Sequence, residues 1–125
     1  MRILVCEDQD SIRHMIETLV SASSHEVTAV DMGAKAVECA LAEDYDILLL
    51  DLMLPGGLDG FGVCEKLRAD PKTAELPIFI ISAMDDPDSR ERAVRLGANA
   101  FYSKPFSPLA LLKDIGVVAQ ERRRG

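Results

Sequence analysis

The stretch Ile47-Leu48-Leu49-Leu50-Asp51 decides the fold. Four apolar residues run unbroken, which is what a central strand covered on both faces needs, since neither side of it meets water. An acid follows directly. Outward from it, Ile3 to Cys6 and Ile78 to Ile81 repeat the pattern, ending at Glu7-Asp8 and at Ser82. Ala100 to Ser103 reads as a fifth strand left by Lys104-Pro105, and Val27 to Val30, which alternates with polar residues, reads as an edge strand.

Between these runs the apolar period changes to that of a helix. Ile12, Met15, Ile16, Leu19 and Val20 recur at i, i+3, i+4, i+7 and i+8, so one face can cover a sheet, with Asp10 or Ser11 as its cap. Ala36, Val37, Ala40 and Leu41 give a second, small-residue face. The turn material Pro55-Gly56-Gly57-Leu58-Asp59-Gly60 precedes a third helix marked by Phe61, Cys64 and Leu67, ended near Asp70-Pro71. A polar loop, Asp85 to Asp88, leads to a fourth helix carrying Ala93, Val94 and Leu96, which Gly97 terminates. The last helix opens with Ser107 as N-cap and Pro108 at its first position, and buries Leu111, Leu112, Ile115 and Val118 or Ala119. Five strands and five helices in strict alternation predict an α/β fold with a parallel sheet.

Composition sets limits on function. A chain of 125 residues can bury roughly two thirds of its unfolded surface in a single core. The apolar share of 48% and charged share of 28% are those of a soluble globular protein, and no run approaches the ~20 residues of a membrane span. The start Met1-Arg2-Ile3-Leu4-Val5 lacks the marks of a secretion signal, so a cytoplasmic location is expected. Cys6, Cys39 and Cys64 cannot all pair and fit no metal spacing, so they read as reduced core thiols. A net charge of −7 disfavours direct binding to nucleic acid or anionic lipid. The basic run Arg122-Arg123-Arg124 reads as a solvated helix tail or the start of a linker, leaving 1–121 as the domain and 122–125 as its tail.

In a parallel sheet with right-handed crossovers, residues just past the strand ends gather along one edge, where open α/β sheets bind ligands. Neighbouring strands would thus bring together Glu7, Asp8, Asp51, Ser82 and Lys104. Three carboxylates in one crevice call for a cation, and an all-oxygen set suits octahedral Mg²⁺, with Mn²⁺ as an alternative, where zinc would want His or Cys. His14 and His25 read as ordinary solvated residues. Lys104 and Ser82 offer the charge and hydroxyl that hold a phosphoryl group in transfer, and Asp51 is then the candidate nucleophile.

These residues, Glu7-Asp8, Asp51, Ser82 and Lys104-Pro105-Phe106, resemble the pattern of bacterial response-regulator receiver domains over essentially the whole chain. The resemblance implies a flavodoxin-like doubly wound (βα)5 domain with strand order 2-1-3-4-5 and helices on both faces. It implies that Asp51 takes phosphate from a sensor histidine kinase or a phosphotransfer protein, and that the chain is no enzyme beyond its own phosphorylation and dephosphorylation. Asp8 and Asp51 would bind Mg²⁺ directly, Glu7 largely through water, and the Met53 backbone carbonyl would complete the set. Lys104-Pro105 would be a cis peptide, Ser82 would move toward the phosphate, and Phe101 would turn inward behind it. The fourth helix, fifth strand and fifth helix form the expected output face toward a downstream effector or output domain, and dimerisation through that face stays open.

Three departures stand out. Gly56-Gly57-Leu58 is one residue longer than usual, so the loop after Asp51 is expected to be longer or more mobile. Met53 and Met84 fall where side chains border the path of attacking water and modulate lifetime, and Phe101 lacks the hydroxyl of the tyrosine found in many relatives, leaving packing to drive its switch. Two rivals compete with this reading. A haloacid-dehalogenase-like phosphatase would use Asp8-Gln9-Asp10, but it lacks an acidic pair after the lysine and leaves Asp51 unemployed. A receiver-fold interaction module independent of phosphate is the other.

Overall fold

The computed structural model describes residues 1–124. In chain order the elements are β1 (Arg2–Cys6), α1 (Asp10–Ala22), β2 (Glu26–Val30), α2 (Gly33–Ala42), β3 (Ile47–Leu50), α3 (Gly60–Ala69), β4 (Ile78–Ser82), α4 (Pro87–Arg95), β5 (Ala100–Ser103) and α5 (Pro108–Arg124). The strands form one parallel sheet in the order β2-β1-β3-β4-β5. Strand order reverses between β1 and β3, which makes the carboxyl ends of those two strands the switch point of the sheet.

Period-two alternation splits the core in two. Leu4, Cys6, Leu48, Leu50, Ile78 and Ile80 pack against α2, α3 and α4 through Ala36, Ala40, Val63, Cys64, Leu67 and Ala93. Ile3, Val5, Ile47, Leu49, Phe79 and Ile81 face the other way, onto Ile16, Val20, Leu111 and Ile115 of α1 and α5. Every residue of β3 and β4 is buried, because both of their faces carry helices.

Several helix boundaries depart from the sequence expectation. The N-cap of α1 is Gln9, with no side-chain cap, and Asp10 is the first helical residue. The Gln9 N–H donates to Glu7 Oε2 at 3.1 Å, which ties the start of the helix back to the end of β1. In α2, Leu41 is exposed, and in α4, Leu96 lies at the C-cap with Gly97 just beyond it. The α5 start agrees: Ser107 Oγ accepts the Ala110 N–H at 3.2 Å.

Cys6 and Cys64 are buried and Cys39 half-buried, all free. Burial pushes the Cys6 and Cys64 thiols up to about 12 and about 11, so neither is a thiolate at neutral pH. His14 is exposed, whereas His25 is not merely solvated: its Nδ1 lies 3.1 Å from the chain's amino terminus. Arg122 of the basic run pairs with Asp46 at 3.3 Å, while the side chains of 123 and 124 and all of Gly125 lie outside the described residues. Among the described residues no helix is long and apolar enough to cross a membrane.

Candidate functional site

The carboxyl ends of β1 and β3 deliver Glu7, Asp8 and Asp51 side by side, with ligand oxygens that all lie within 4.8 Å of one another. The register explains this: Cys6 pairs with Leu50, and the Asp51 N–H continues the ladder onto the Cys6 carbonyl at 3.0 Å. Glu7 is 1% and Asp51 4% exposed, whereas Asp8 is open to solvent. A buried carboxylate pair needs a counter-charge, and Lys104 provides one. Its Nζ donates to Glu7 Oε1 at 2.6 Å and to Asp51 Oδ2 at 2.9 Å.

The second oxygen of Asp51, Oδ1, accepts the Met53 N–H at 3.1 Å, so both carboxylate oxygens are held. Burial lifts the Glu7 carboxyl above its ordinary range against the lowering pull of Lys104. Burial pulls the Lys104 ammonium down, but the hydrogen bonds to Glu7 and Asp51 outweigh it and the lysine ends above its ordinary range. Lys104 is thus a fixed cation at neutral pH.

Ser82, fully buried at the end of β4, accepts the Met84 N–H on Oγ at 3.2 Å, while its carbonyl takes the Lys104 N–H at 3.0 Å. Lys104-Pro105 is a cis peptide. Asp8, Gln9, Asp51, Met53, Ala83 and Lys104 line an open cleft of about 240 Å³. Met53 is exposed beside it, whereas Met84 packs against the α2/α3/α4 side of the core and Ala83 takes the lining position.

The loop after Asp51 is held at its far end by close approach. A Cβ on Gly60 would lie 2.4 Å from the Asp51 carbonyl oxygen, so only glycine lets α3 start there, and the Gly60 N–H donates to the Leu52 carbonyl at 2.9 Å. Between them Gly56 and Gly57 adopt φ of 85° and 88°, a left-handed backbone that glycine takes without strain.

Phe101 is half-buried on the α4 side of the sheet, and Arg90 of α4 stacks over its ring at 4.5 Å. Arg90 also donates to Ser103 Oγ at 2.7 Å and to the Asp85 carbonyl at 3.3 Å. Packing is therefore not the sole force on Phe101, because a cation–π contact ties it to α4. Tyr102 faces the opposite side, against Phe79 and with its hydroxyl on Asp114 of α5. Sequence reasoning missed Ala83, Gln9, Arg90 and Arg13. The signal for the arginines was present as charged residues about one turn into the first and fourth helices, but period alone reads such residues as solvated.

An acidic, lysine-bridged cleft at the switch point of a 2-1-3-4-5 sheet places the chain in the CheY-like flavodoxin class of doubly wound domains. The response regulator receiver domain family matches residues 3–116, and the chain belongs to that family, the receiver domains of two-component systems. Response regulator PleD of Caulobacter vibrioides is 37% identical over 114 residues, covering 91% of this chain and 25% of PleD. A probable transcriptional regulator, ycf27 of Porphyridium aerugineum, is 38% identical over 110 residues, covering 88% of this chain and 44% of that protein. The chain thus spans between about a quarter and about half the length of these relatives.

Chemotaxis protein CheY4 of Vibrio cholerae superposes with a TM-score of 0.86 at 26% identity, covering 94% of this chain and 97% of CheY4. The receiver domain of sensor histidine kinase PA1611 from Pseudomonas aeruginosa, whose structure has a magnesium ion coordinated in the active site cleft, gives 0.84 at 29% identity, covering 95% and 94%.

Proposed function

We propose that this receiver domain accepts a phosphoryl group on Asp51 from a sensor histidine kinase or a histidine phosphotransfer protein. The observation that carries the reading is the buried Asp51 carboxylate at the end of β3, with the Lys104 ammonium 2.9 Å from one oxygen and Glu7 and Asp8 beside it. Asp51 Oδ attacks phosphorus, the P–N bond to the donor imidazole breaks, and an acyl phosphate forms as the imidazole leaves with its electron pair. Lys104 and the Ser82 hydroxyl are the groups of this chain suited to the charge that develops on the equatorial oxygens.

The donor set fits a hard divalent cation. Three carboxylates against one ammonium leave about two formal negative charges in a cleft lined by oxygen ligands. Asp8 and Asp51 would hold Mg²⁺, or Mn²⁺, directly, with the Met53 carbonyl as a further ligand and Glu7 acting through water. When bound, the ion supplies charge neutralisation for the phosphoryl oxygens.

The output runs through Ser82 and Phe101. An acyl phosphate of about −2 charge draws the Ser82 hydroxyl away from the Met84 N–H, the β4–α4 loop follows, and Phe101 turns inward under Arg90. The α4-β5-α5 face then meets an effector, an output domain or a second copy of the chain. Residues 1–121 are the working unit, acting in the cytoplasm on its own aspartate with no other substrate, and Met53 beside the cleft bears on how long the phosphate lasts.

Incubation with acetyl phosphate and Mg²⁺, read by intact mass, is expected to add one phosphoryl group to the parent and none to Asp51→Asn. Uptake by Asp51→Asn equal to the parent, or none by the parent, would sink the reading.

A further inference from the structure

We infer that Arg13 is a positioning residue for the cation site, an inference that rests on the function proposed above. Its guanidinium, in the second turn's approach of α1, donates from Nη1 to the Glu7 carbonyl at 3.0 Å and reaches the Asp8 carbonyl at 3.5 Å, while Nη2 pairs with Asp10. The Arg13 side chain is only 16% exposed, although it sits at the helix surface. This is the fork geometry for which arginine differs from lysine: one planar group satisfies two successive main-chain carbonyls and a carboxylate.

Those carbonyls belong to the two residues whose side chains the cleft needs. The β1–α1 loop has no side-chain cap at Gln9, and the Glu7 side chain itself takes the Gln9 N–H. The loop is therefore organised from two sides, by Glu7 Oε2 on the donors and by Arg13 on the acceptors. With the Glu7 carbonyl held by Arg13 and the Asp8 carbonyl turned toward the same Nη1, the main chain presents the Asp8 carboxylate to the cleft and leaves Glu7 Oε1 for Lys104. The arm to Asp10 adds little, because Asp10 is 81% exposed and the pair is screened.

Positioning and plain charge predict opposite signs. A fixed cation near a cation site opposes metal by Coulomb repulsion, so removing its charge should tighten Mg²⁺ binding if charge were all that Arg13 supplied. If Arg13 sets the loop, removing it should weaken binding, as loss of a partner that orients a metal ligand does.

The test is titration calorimetry of Mg²⁺ into unphosphorylated parent, Arg13→Gln and Arg13→Lys, with circular dichroism melts of each. Arg13→Gln is expected to weaken Mg²⁺ about tenfold. Arg13→Lys, which keeps the charge but loses the fork, is expected to stay weaker than the parent by severalfold, and it carries the test should Arg13→Gln not fold. Either folded variant binding Mg²⁺ as tightly as the parent, or more tightly, overturns the inference. A parent that binds no Mg²⁺ overturns the cation site itself and this inference with it, and so is told apart from the failure of Arg13 alone.

Discussion

Two cations, one near each end of the sheet, do different work. At the carboxyl end Lys104 spans Glu7 and Asp51, both charged acceptors. At the amino end Arg68 donates to the carbonyls of Thr73 and Ala74 at 3.1 Å, to the Gly97 carbonyl at 2.7 Å and to Asn99 Oδ1 at 3.1 Å, joining α3 to the chain entering β4 and β5. The carbonyls that Arg68 holds lie outside the acidic cleft and have no proposed claim on another cation, so its hydrogen bonds are expected to persist. Carboxylates do have one, so the Lys104 bridge can be remade when a second cation or a phosphoryl group arrives. One end is fixed by hydrogen bonding, and the other is held by a charge balance that chemistry can shift.

That contrast can be broken at three points. The largest expected effect is from Lys104→Gln, which should slow acetyl phosphate labelling about a hundredfold while tightening Mg²⁺, since a competing ammonium is gone. Labelling at the parent rate would remove Lys104 from the chemistry. Next, Arg68→Ala should lower stability in urea by about 1 to 2 kcal/mol through partly buried carbonyls left without a partner, with labelling nearly unchanged. A labelling defect as deep as that of Lys104→Gln would erase the division between the ends.

The smallest effect concerns pH. Burial raises the folded-state pKa of Glu7 above its ordinary 4.5. The folded protein then holds that proton more tightly than the unfolded chain, so this contribution to stability is fully present below 4.5 and is lost as pH rises through the folded value. Urea unfolding across that window should show the loss in the parent and not in Glu7→Gln, and equal slopes would clear Glu7 as its source. Arg68 stays charged throughout and contributes no slope there.

The layout of the sheet was legible because β3 and β4 are unbroken apolar runs and because each helix declares its inner face by period. The convergence of Glu7, Asp8, Asp51 and Lys104 followed only once those strands were taken as neighbours, an order that the family resemblance supplied and periodicity could not. What stayed hidden depends on side chains whose partners only the fold brings to them. The sequence placed the α1 cap at Asp10 or Ser11, whereas the cap is Gln9, whose own N–H the Glu7 side chain accepts. Arg13 and Arg90 look like solvated helix charges until the fold brings the Glu7 carbonyl and the Phe101 ring beneath them. His25 read as solvated because nothing local in the sequence places the amino terminus beside it.

Gly60 has an effect beyond its close fit. Because its N–H grips Leu52 and its missing Cβ lets it rest on Asp51, the main chain at the acceptor is tied directly to the start of α3, besides the hold of the Met53 N–H on the carboxylate. Within the loop Leu54 and Leu58 pack on the core and Asp59 caps α3, which leaves the exposed tip at Pro55-Gly56-Gly57, and each doubling of a flexible loop's length costs only about 0.6 kcal/mol in closure entropy. That tip is therefore free to lengthen or change composition across evolution, altering what approaches the aspartate without moving the aspartate itself.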